Sequence, residues 1–167
     1  MDFSNFLTLY SGGVDSTVLI HENPSAQTLL HYRGLNELQT KVAWSNALAL
    51  DRKIDILSIG EHPTRDGEVS PFHSLMDAQM ILDACTRAVT YGKSGIVLGF
   101  TGDDFGTDFK AIQSIVRKVD PKFEIALPLI ERSAAEVRKI AASIELPTVS
   151  CLIDKDCGQC PKCRRGY

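Results

Sequence analysis

The sequence predicts a doubly wound, mainly parallel α/β sheet, and three observations carry that prediction. Short apolar runs of strand length alternate along the chain with segments whose apolar residues recur every three or four positions. The run Gly95-Ile96-Val97-Leu98-Gly99-Phe100 is apolar and flanked by glycine, the pattern of a central strand covered on both faces. A glycine turn, Ser11-Gly12-Gly13, carries the first apolar run straight into a helical segment.

Taken in order, residues 6–10 read as the first strand and residues 27–32 as the second, after a short helix ending near Pro24. Leu35, Leu38, Val42 and Ala49 recur at helical spacing and predict a helix that turns Trp44 and Leu48 toward the same core. Residues 54–59 are a third strand closed by Gly60, and residues 61–71, with two prolines, a glycine and mixed charges, read as a loop. Leu75, Ala78, Leu82, Cys85 and Val89 define the buried stripe of a long helix ending before Gly92, which makes Cys85 a core residue. The strand at residues 95–100 leads into a loop holding Asp103, Asp104, Gly106 and Asp108. Ile112, Ile115, Val116 and Val119 predict the next helix, and residues 125–127 a short strand before Pro128. Ser133 and Glu136 form a capping box opening a helix with Val137, Ile140, Ala141 and Ile144 inside. Ligands of such sheets bind beyond the C-terminal ends of the strands. The glycine turn, residues 32–37, residues 61–73 and residues 99–108 should therefore converge on one cleft.

The 167 residues form one expected domain, residues 1–167, with a core of ordinary size. A content of 44% hydrophobic and 23% charged residues is that of a soluble globular protein. The net charge of −3 argues against broad nucleic-acid binding, which usually leaves a basic footprint. No signal peptide is read from Met1-Asp2-Phe3-Ser4 and no apolar run approaches membrane-spanning length, so no membrane partner is expected and the cytoplasm is the expected location.

The glycine turn is suited to phosphate. Gly12 and Gly13 can let consecutive N–H groups converge on one anion, and the following helix offers its positive N-terminal end. It is neither G-x-x-x-x-G-K-[ST] nor G-x-G-x-x-G. No lysine follows the glycines, and Asp15 suits a phosphate site only if a cation such as Mg²⁺ stands between them. The alternative is a plain turn with Asp15 and Ser16 as helix caps.

Four of five cysteines, Cys151, Cys157, Cys160 and Cys163, fall in a tail at residues 150–165, the last three as C-x-x-C-x-x-C. Such crowding points to metal rather than disulfides, and four thiolates suffice for structural tetrahedral Zn²⁺. An iron–sulfur cluster and a redox thiol are the competing readings. Lys155, Lys162, Arg164 and Arg165 would offset the charge of the centre.

The spelling Ser11-Gly12-Gly13-Val14-Asp15-Ser16 resembles the PP-loop of the ATP pyrophosphatases, which cleave ATP between the α and β phosphates and adenylate an acceptor oxygen. With the four-cysteine tail it is similar to the 7-cyano-7-deazaguanine synthase family. Tyr32 followed by Glu37-Leu38 resembles the family's Y-G-Q-R-H-x-x-E-L, Ser70-Pro71-Phe72-His73 its V-P-x-R-N, Gly99 to Asp104 its G-x-N-x-x-D, and Pro128 to Glu136 its P-L-I-x-x-S-K-x-E. The resemblance implies an adenine nucleotide alpha hydrolase-like fold and a homodimer, with ATP, Mg²⁺ and structural Zn²⁺. The implied reaction is ATP-dependent conversion of 7-carboxy-7-deazaguanine, with ammonium, to the nitrile through an adenylated carboxylate and an amide. The implied ATP site is Leu9, Tyr10, Ser11, Gly12, Gly13, Val14, Asp15, Ser16, Thr17, Val18 and Leu19, with Asp15, Ser16 and Asp104 catalytic. Tyr32, Arg33, Glu37, Phe72, His73, Thr101, Asp104 and Asp108 would line the substrate.

The chain departs from the family in being shorter, in Arg33-Gly34-Leu35-Asn36 for G-Q-R-H, in Thr101 for asparagine, and in lacking the Y-P-D-C-R-P run. These departures fall in the substrate wall, not the ATP loop. An amide-forming variant, a tRNA-modifying PP-loop enzyme and a non-catalytic nucleotide-binding module are the alternative functions. Asp104 and Asp108 read equally as cleft ligands or helix caps. His21, His31 and His62 read as structural, and Trp44 as core.

Overall fold

The computed structural model describes residues 1–34, 36–58, 71–104, 106–153 and 157–164. Leu35, the expected loop around residues 61–70, His62, Lys155, Arg165 and the side chains of Phe72 and His73 lie outside the described residues. The elements are β1 (Phe6–Leu9), α1 (Val14–Glu22), β2 (Thr28–Arg33), α2 (Glu37–Ala49), β3 (Lys53–Ser58), α3 (Pro71–Thr90), β4 (Gly95–Val97), α4 (Phe109–Val116), β5 (Glu124–Ala126), α5 (Ala134–Ala141) and a single turn, α6 (Pro161–Arg164).

All pairings are parallel, in the order β3-β2-β1-β4-β5. The chain winds outward through β2 and β3, then crosses back to β4 beside β1, so the order reverses between β1 and β4. Strand alternation sends side chains to the two faces in turn. On one face Leu7, Leu9, Ile96 and Leu98 pack with Ile81, Ala84, Cys85 and Ala88 of α3 and with Ile112 and Val116 of α4. On the other, Phe6 and Val97 meet Val18 and Leu19 of α1 and Val137 of α5, while Leu29 meets Ala43 and Ala47 of α2. The expected doubly wound α/β class is therefore observed.

Helices at the expected places bury part of the expected set, and α2 departs from it most. Trp44 is 53% and Leu48 66% exposed, and Ala49 is also exposed. The inward face of α2 is Thr40, Ala43, Asn46 and Ala47, because part of what it covers is polypeptide backbone needing donors. Asn36 at its N-cap, Gln39 and Asn46 donate to the carbonyls of Cys151, Val149 and Pro147. Leu75, Ile115 and Val119 are likewise exposed, while Ile112 and Val116 are buried as expected and Ile81 and Ala84 are buried in addition. Cys85 is core, as expected, and burial pushes its thiol up to about 12. The capping box of Ser133 and Glu136 is present, and its helix buries Val137.

Candidate functional site

β1 ends at the switch point, where Ser11, Gly12 and Gly13 turn the chain into α1. Gly12 sits at φ +80° with Gln39 O only 2.9 Å from where a Cβ would stand, so the site demands glycine. Gly13 is the extended N-cap of α1 and has no side chain to shield the helix N-terminus. A hydroxyl relay fixes the loop. Gly13 N donates to Ser11 Oγ (3.2 Å), Ser11 and Ser16 hydroxyls share a hydrogen bond (3.0 Å), and Ser16 Oγ donates to Gly13 O (3.1 Å).

Beneath the loop, buried His31 donates from Nδ1 to Tyr10 O (2.9 Å), leaving Nε2 to accept from the Thr40 hydroxyl (2.9 Å). Desolvation lowers its pKa, so it is a neutral structural imidazole, as expected. Tyr10 is 1% exposed, its hydroxyl held by Thr17 and Asn46. Leu9, Val18 and Leu19 of the expected ATP site are core residues, so at those positions only backbone is available to a ligand.

Asp15 points from the first turn of α1 toward two other segments. Its Oδ1 is buried without a hydrogen-bond partner, while its Oδ2 lies 3.7 Å from Lys162 Nζ of α6. Burial pushes its carboxyl up to about 6, opposed by Lys162 and Arg138 and reinforced by Asp104. A buried, unsatisfied carboxylate oxygen beside a glycine turn and a helix N-terminus is the donor type that Mg²⁺ takes.

The chain after β4 approaches the loop from the other side of the switch point. A Cβ on Gly99 would stand 3.2 Å from Ser16 N and Cα, so glycine lets the strand end touch the loop helix. Thr101 is fully buried and gives Asp104 Oδ2 two hydrogen bonds, from its amide (2.8 Å) and its hydroxyl (3.0 Å). The neighbouring acids divide between roles. Asp103 Oδ2 accepts from Ala134 N (2.6 Å) at the start of α5, and Asp108 caps α4 through Ala111 N (2.9 Å). Of the acids in this loop, Asp104 is the one whose charge is felt at Asp15.

The expected substrate residues on β2 and α2 are placed less tightly. Tyr32 donates to Asp83 Oδ2 of α3 (2.6 Å), which also accepts from Arg87 (2.7 Å). Burial and that carboxylate push the phenol further up from its ordinary value. Arg33 and Glu37 are exposed at the same end of the sheet.

The tail packs directly on the loop. Val149 N donates to Gly12 O (2.9 Å) and Val14 N to Ser150 Oγ (3.1 Å), so Ser150 caps the loop helix across 136 residues. Cys151, Cys157, Cys160 and Cys163 then gather, all four sulfurs within 4.8 Å of one another, with Cys160 to Cys151 and Cys157 to Cys163 both 3.9 Å. Amides of Cys160 and Cys163 donate to the sulfurs of Cys157 and Cys160, the pattern of a loop folded around a metal-bound thiolate. The four cysteines are thus placed to hold a metal, as their spacing suggested.

Sequence reasoning did not foresee Ser150, Asn36, Gln39 and Asn46 as the pins of the tail, and it took Lys162 only as charge compensation. The available signal for Lys162 is its place between two ligands, in Cys160-Pro161-Lys162-Cys163, which fixes its backbone whenever metal is bound.

No protein-family profile matches the chain, and no curated protein matches it. Among solved structures it is similar to the U34-tRNA thiolase NcsA from Methanococcus maripaludis, solved with its 4Fe-4S cluster, at 13% identity and a TM-score of 0.55. The match covers 87% of this chain and 57% of that one, so the chain spans little more than half the thiolase's length. A predicted subunit of tRNA methyltransferase from Methanocaldococcus jannaschii matches at 16% identity and a TM-score of 0.49, over 82% of this chain and 73% of that one. The likeness to the thiolase is one of fold, an α/β domain with a parallel sheet. Among the described residues no helix is long and apolar enough to cross a membrane.

Proposed function

We propose that this chain is a PP-loop ATP pyrophosphatase that adenylates an acceptor oxygen and releases pyrophosphate. One observation carries the reading: the Ser11 to Ser16 loop stands at the switch point of the sheet, with the unpartnered Oδ1 of Asp15 beside it and Asp104 close by. The N–H groups of the loop and the N-terminus of α1 would cradle the pyrophosphate portion, and Asp15 would hold Mg²⁺, which supplies charge neutralisation.

The acceptor we assign is the carboxylate of 7-carboxy-7-deazaguanine, from the resemblance of both ends of the chain. A carboxylate oxygen attacks the α-phosphate and pyrophosphate leaves. Ammonia then displaces AMP to give the amide. Adenylation of the amide oxygen, followed by departure of AMP and loss of two protons from nitrogen, gives the nitrile. The role of Ser16, Thr101 and Asp104 is to position the reacting groups. Free ammonium as nitrogen donor, a homodimer and a cytoplasmic setting belong to the same reading.

For the metal, we assign structural zinc. A single tetrahedral ion with Zn–S bonds of ~2.3 Å sets its sulfurs about 3.8 Å apart, and two pairs here stand at 3.9 Å. A four-iron cube inserts an iron corner behind each sulfur and needs a wider set. A second reading, tRNA thiolation, is favoured by the fold shared with the thiolase NcsA and makes a distinct prediction, a brown protein with visible absorption.

The experiment is product analysis by mass spectrometry after incubation with ATP, Mg²⁺, ammonium and 7-carboxy-7-deazaguanine, with metal content measured in parallel. AMP, pyrophosphate, nitrile and one zinc per chain are the expected results. ADP as product would sink the pyrophosphatase reading. AMP formation with tRNA but not with the deazapurine, together with iron, would transfer the assignment to tRNA modification.

A further inference from the structure

The phosphate loop has no lysine of its own, and the structure brings one to it from the tail. Lys162 Nζ lies 3.7 Å from Asp15 Oδ2, with its side chain 31% exposed. Lys162 and Asp15 are thus an ion pair at the edge of the loop, and an ammonium carries three donors, so its charge is placed where the loop would meet an anion. Asp15 is also faced by Asp104 and Arg138, so the cleft carries both signs of charge around the loop.

The cysteines bracket Lys162. It occupies one turn of helix between Cys160 and Cys163, a segment too short to hold its shape alone. The polypeptide before it is fastened to the loop by Val149 N to Gly12 O, Val14 N to Ser150 Oγ and Asn36 Nδ2 to Cys151 O. A metal bound by Cys151, Cys157, Cys160 and Cys163 would therefore fix the Lys162 backbone relative to the N-terminus of α1.

We infer that Lys162 is a ligand for the phosphate chain of the nucleotide, a cation supplied by the four-cysteine tail where the loop itself supplies none. The inference rests on the proposed ATP pyrophosphatase reading. The four-cysteine centre then does more than stop the tail from fraying: it sets a charge in the nucleotide site. On binding, Lys162 leaves Asp15 for a phosphate oxygen, and Asp15 is left to the divalent cation.

The test measures binding of inorganic pyrophosphate with Mg²⁺, and of ATP, by calorimetry, in the metal-replete wild type, Lys162→Ala, Lys162→Arg and the surface control Lys118→Ala. Loss of one charged hydrogen bond should weaken pyrophosphate binding about tenfold to a hundredfold in Lys162→Ala. Lys162→Arg should recover most of it, Lys118→Ala should match the wild type, and metal content should stay unchanged. Unchanged pyrophosphate affinity in metal-replete Lys162→Ala overturns the inference while leaving the ATP reading intact. A wild type that binds neither pyrophosphate nor ATP overturns both. Should the alanine variant fail to fold, acetylation footprinting of the wild type decides: pyrophosphate must protect Lys162 and leave Lys118 reactive, and an unprotected Lys162 overturns the inference.

Discussion

The glycine loop and the cysteine tail meet in space but are held by opposite means. The loop hangs between β1, whose four residues are all buried, and α1, which buries Ser16, Thr17, Val18, Leu19 and Ile20. Its shape follows from the sheet. In the tail, Cys151 and Cys160 are buried, and the attachment consists of hydrogen bonds from α2 and the loop plus four gathered thiols. Burial of apolar surface thus secures one half of the site, and directional polar contacts with four thiols placed to take a metal secure the other. The two should come apart under different perturbations.

Metal removal is the harshest way to separate them. Structural zinc sites are worth on the order of 10 kcal/mol where folding depends wholly on them. Here the cost should fall on the tail, because the core clusters contain none of the four ligands. Chelation, or Cys160→Ser, should make residues beyond Pro147 sensitive to protease while far-UV circular dichroism of the sheet and helices changes little. Global unfolding on chelation would show that the tail supports the sheet as well.

The loop should break at Gly12. Alanine there meets a left-handed backbone and the Gln39 carbonyl together, costing about 3–4 kcal/mol. Alanine at Gly34, where nothing stands within 4 Å, should change urea stability by less than about 0.5 kcal/mol. Equal effects at the two glycines would contradict the close approach of α2 to the loop.

Asp15 belongs to both halves, and its titration sharpens the contrast. Its folded pKa of about 6 lies above the ordinary 3.8, so the folded state binds more protons than the unfolded state between those values, and stability falls as pH rises through that window. Above pH 6 the buried charge costs on the order of 3 kcal/mol. Asp15→Asn should therefore be more stable than wild type in urea at pH 7.5, with the gap closing by pH 4, while pyrophosphate affinity with Mg²⁺ drops. A variant less stable at pH 7.5 would mean that the pair with Lys162 outweighs desolvation.

Asn46 pins the tail to the core side of α2, giving one hydrogen bond to Tyr10 Oη (2.7 Å) and one to Pro147 O (2.8 Å). Asn46→Ala should cost about 2 kcal/mol by taking a donor from the buried Tyr10 hydroxyl and from the part-buried Pro147 carbonyl. It should also raise hydrogen exchange of the Val149 amide more than that of β1 amides. Uniform acceleration would make Asn46 a plain core residue.

The same contrast explains what could be read in the sequence. The alternation of strands and helices and the loop glycines were legible because each is local: period two, period three to four, and a turn needing positive φ at Gly12. The four-cysteine group was legible because the donors are chemically distinctive and close together. Docking of the tail on the loop was not. It is encoded by Asn36, Gln39, Asn46 and Ser150, ordinary polar residues whose partners lie more than 100 positions away. Roles of Asp103 and Asp108 as caps also needed the structure, since an acid before a helix and an acid in a cleft are spelled alike.

Trp44 and Leu48 mark the point where the local reading failed, and they give the smallest expected effect. Apolar spacing on α2 predicted that both face the core, yet the helix turns Thr40, Ala43, Asn46 and Ala47 inward, because two of its side chains and its N-cap Asn36 reach tail carbonyls. Rotating α2 to bury Trp44 would withdraw Asn46 and Gln39 from part-buried carbonyls and Asn46 from the buried Tyr10 hydroxyl, at about 1 kcal/mol for each lost hydrogen bond. The polar contacts therefore set the helix orientation, and the tryptophan stays at 53% exposure. Trp44→Ser should change urea stability by no more than about 0.5 kcal/mol, and wild-type tryptophan fluorescence should be red-shifted and readily quenched by iodide. In metal-free protein the carbonyls at residues 147–151 no longer fix α2, and the quenching of Trp44 becomes the measure of whether the tail or the sheet sets that helix. Unchanged quenching after chelation would assign the orientation to Ala43 and Ala47 against Leu29 rather than to the tail.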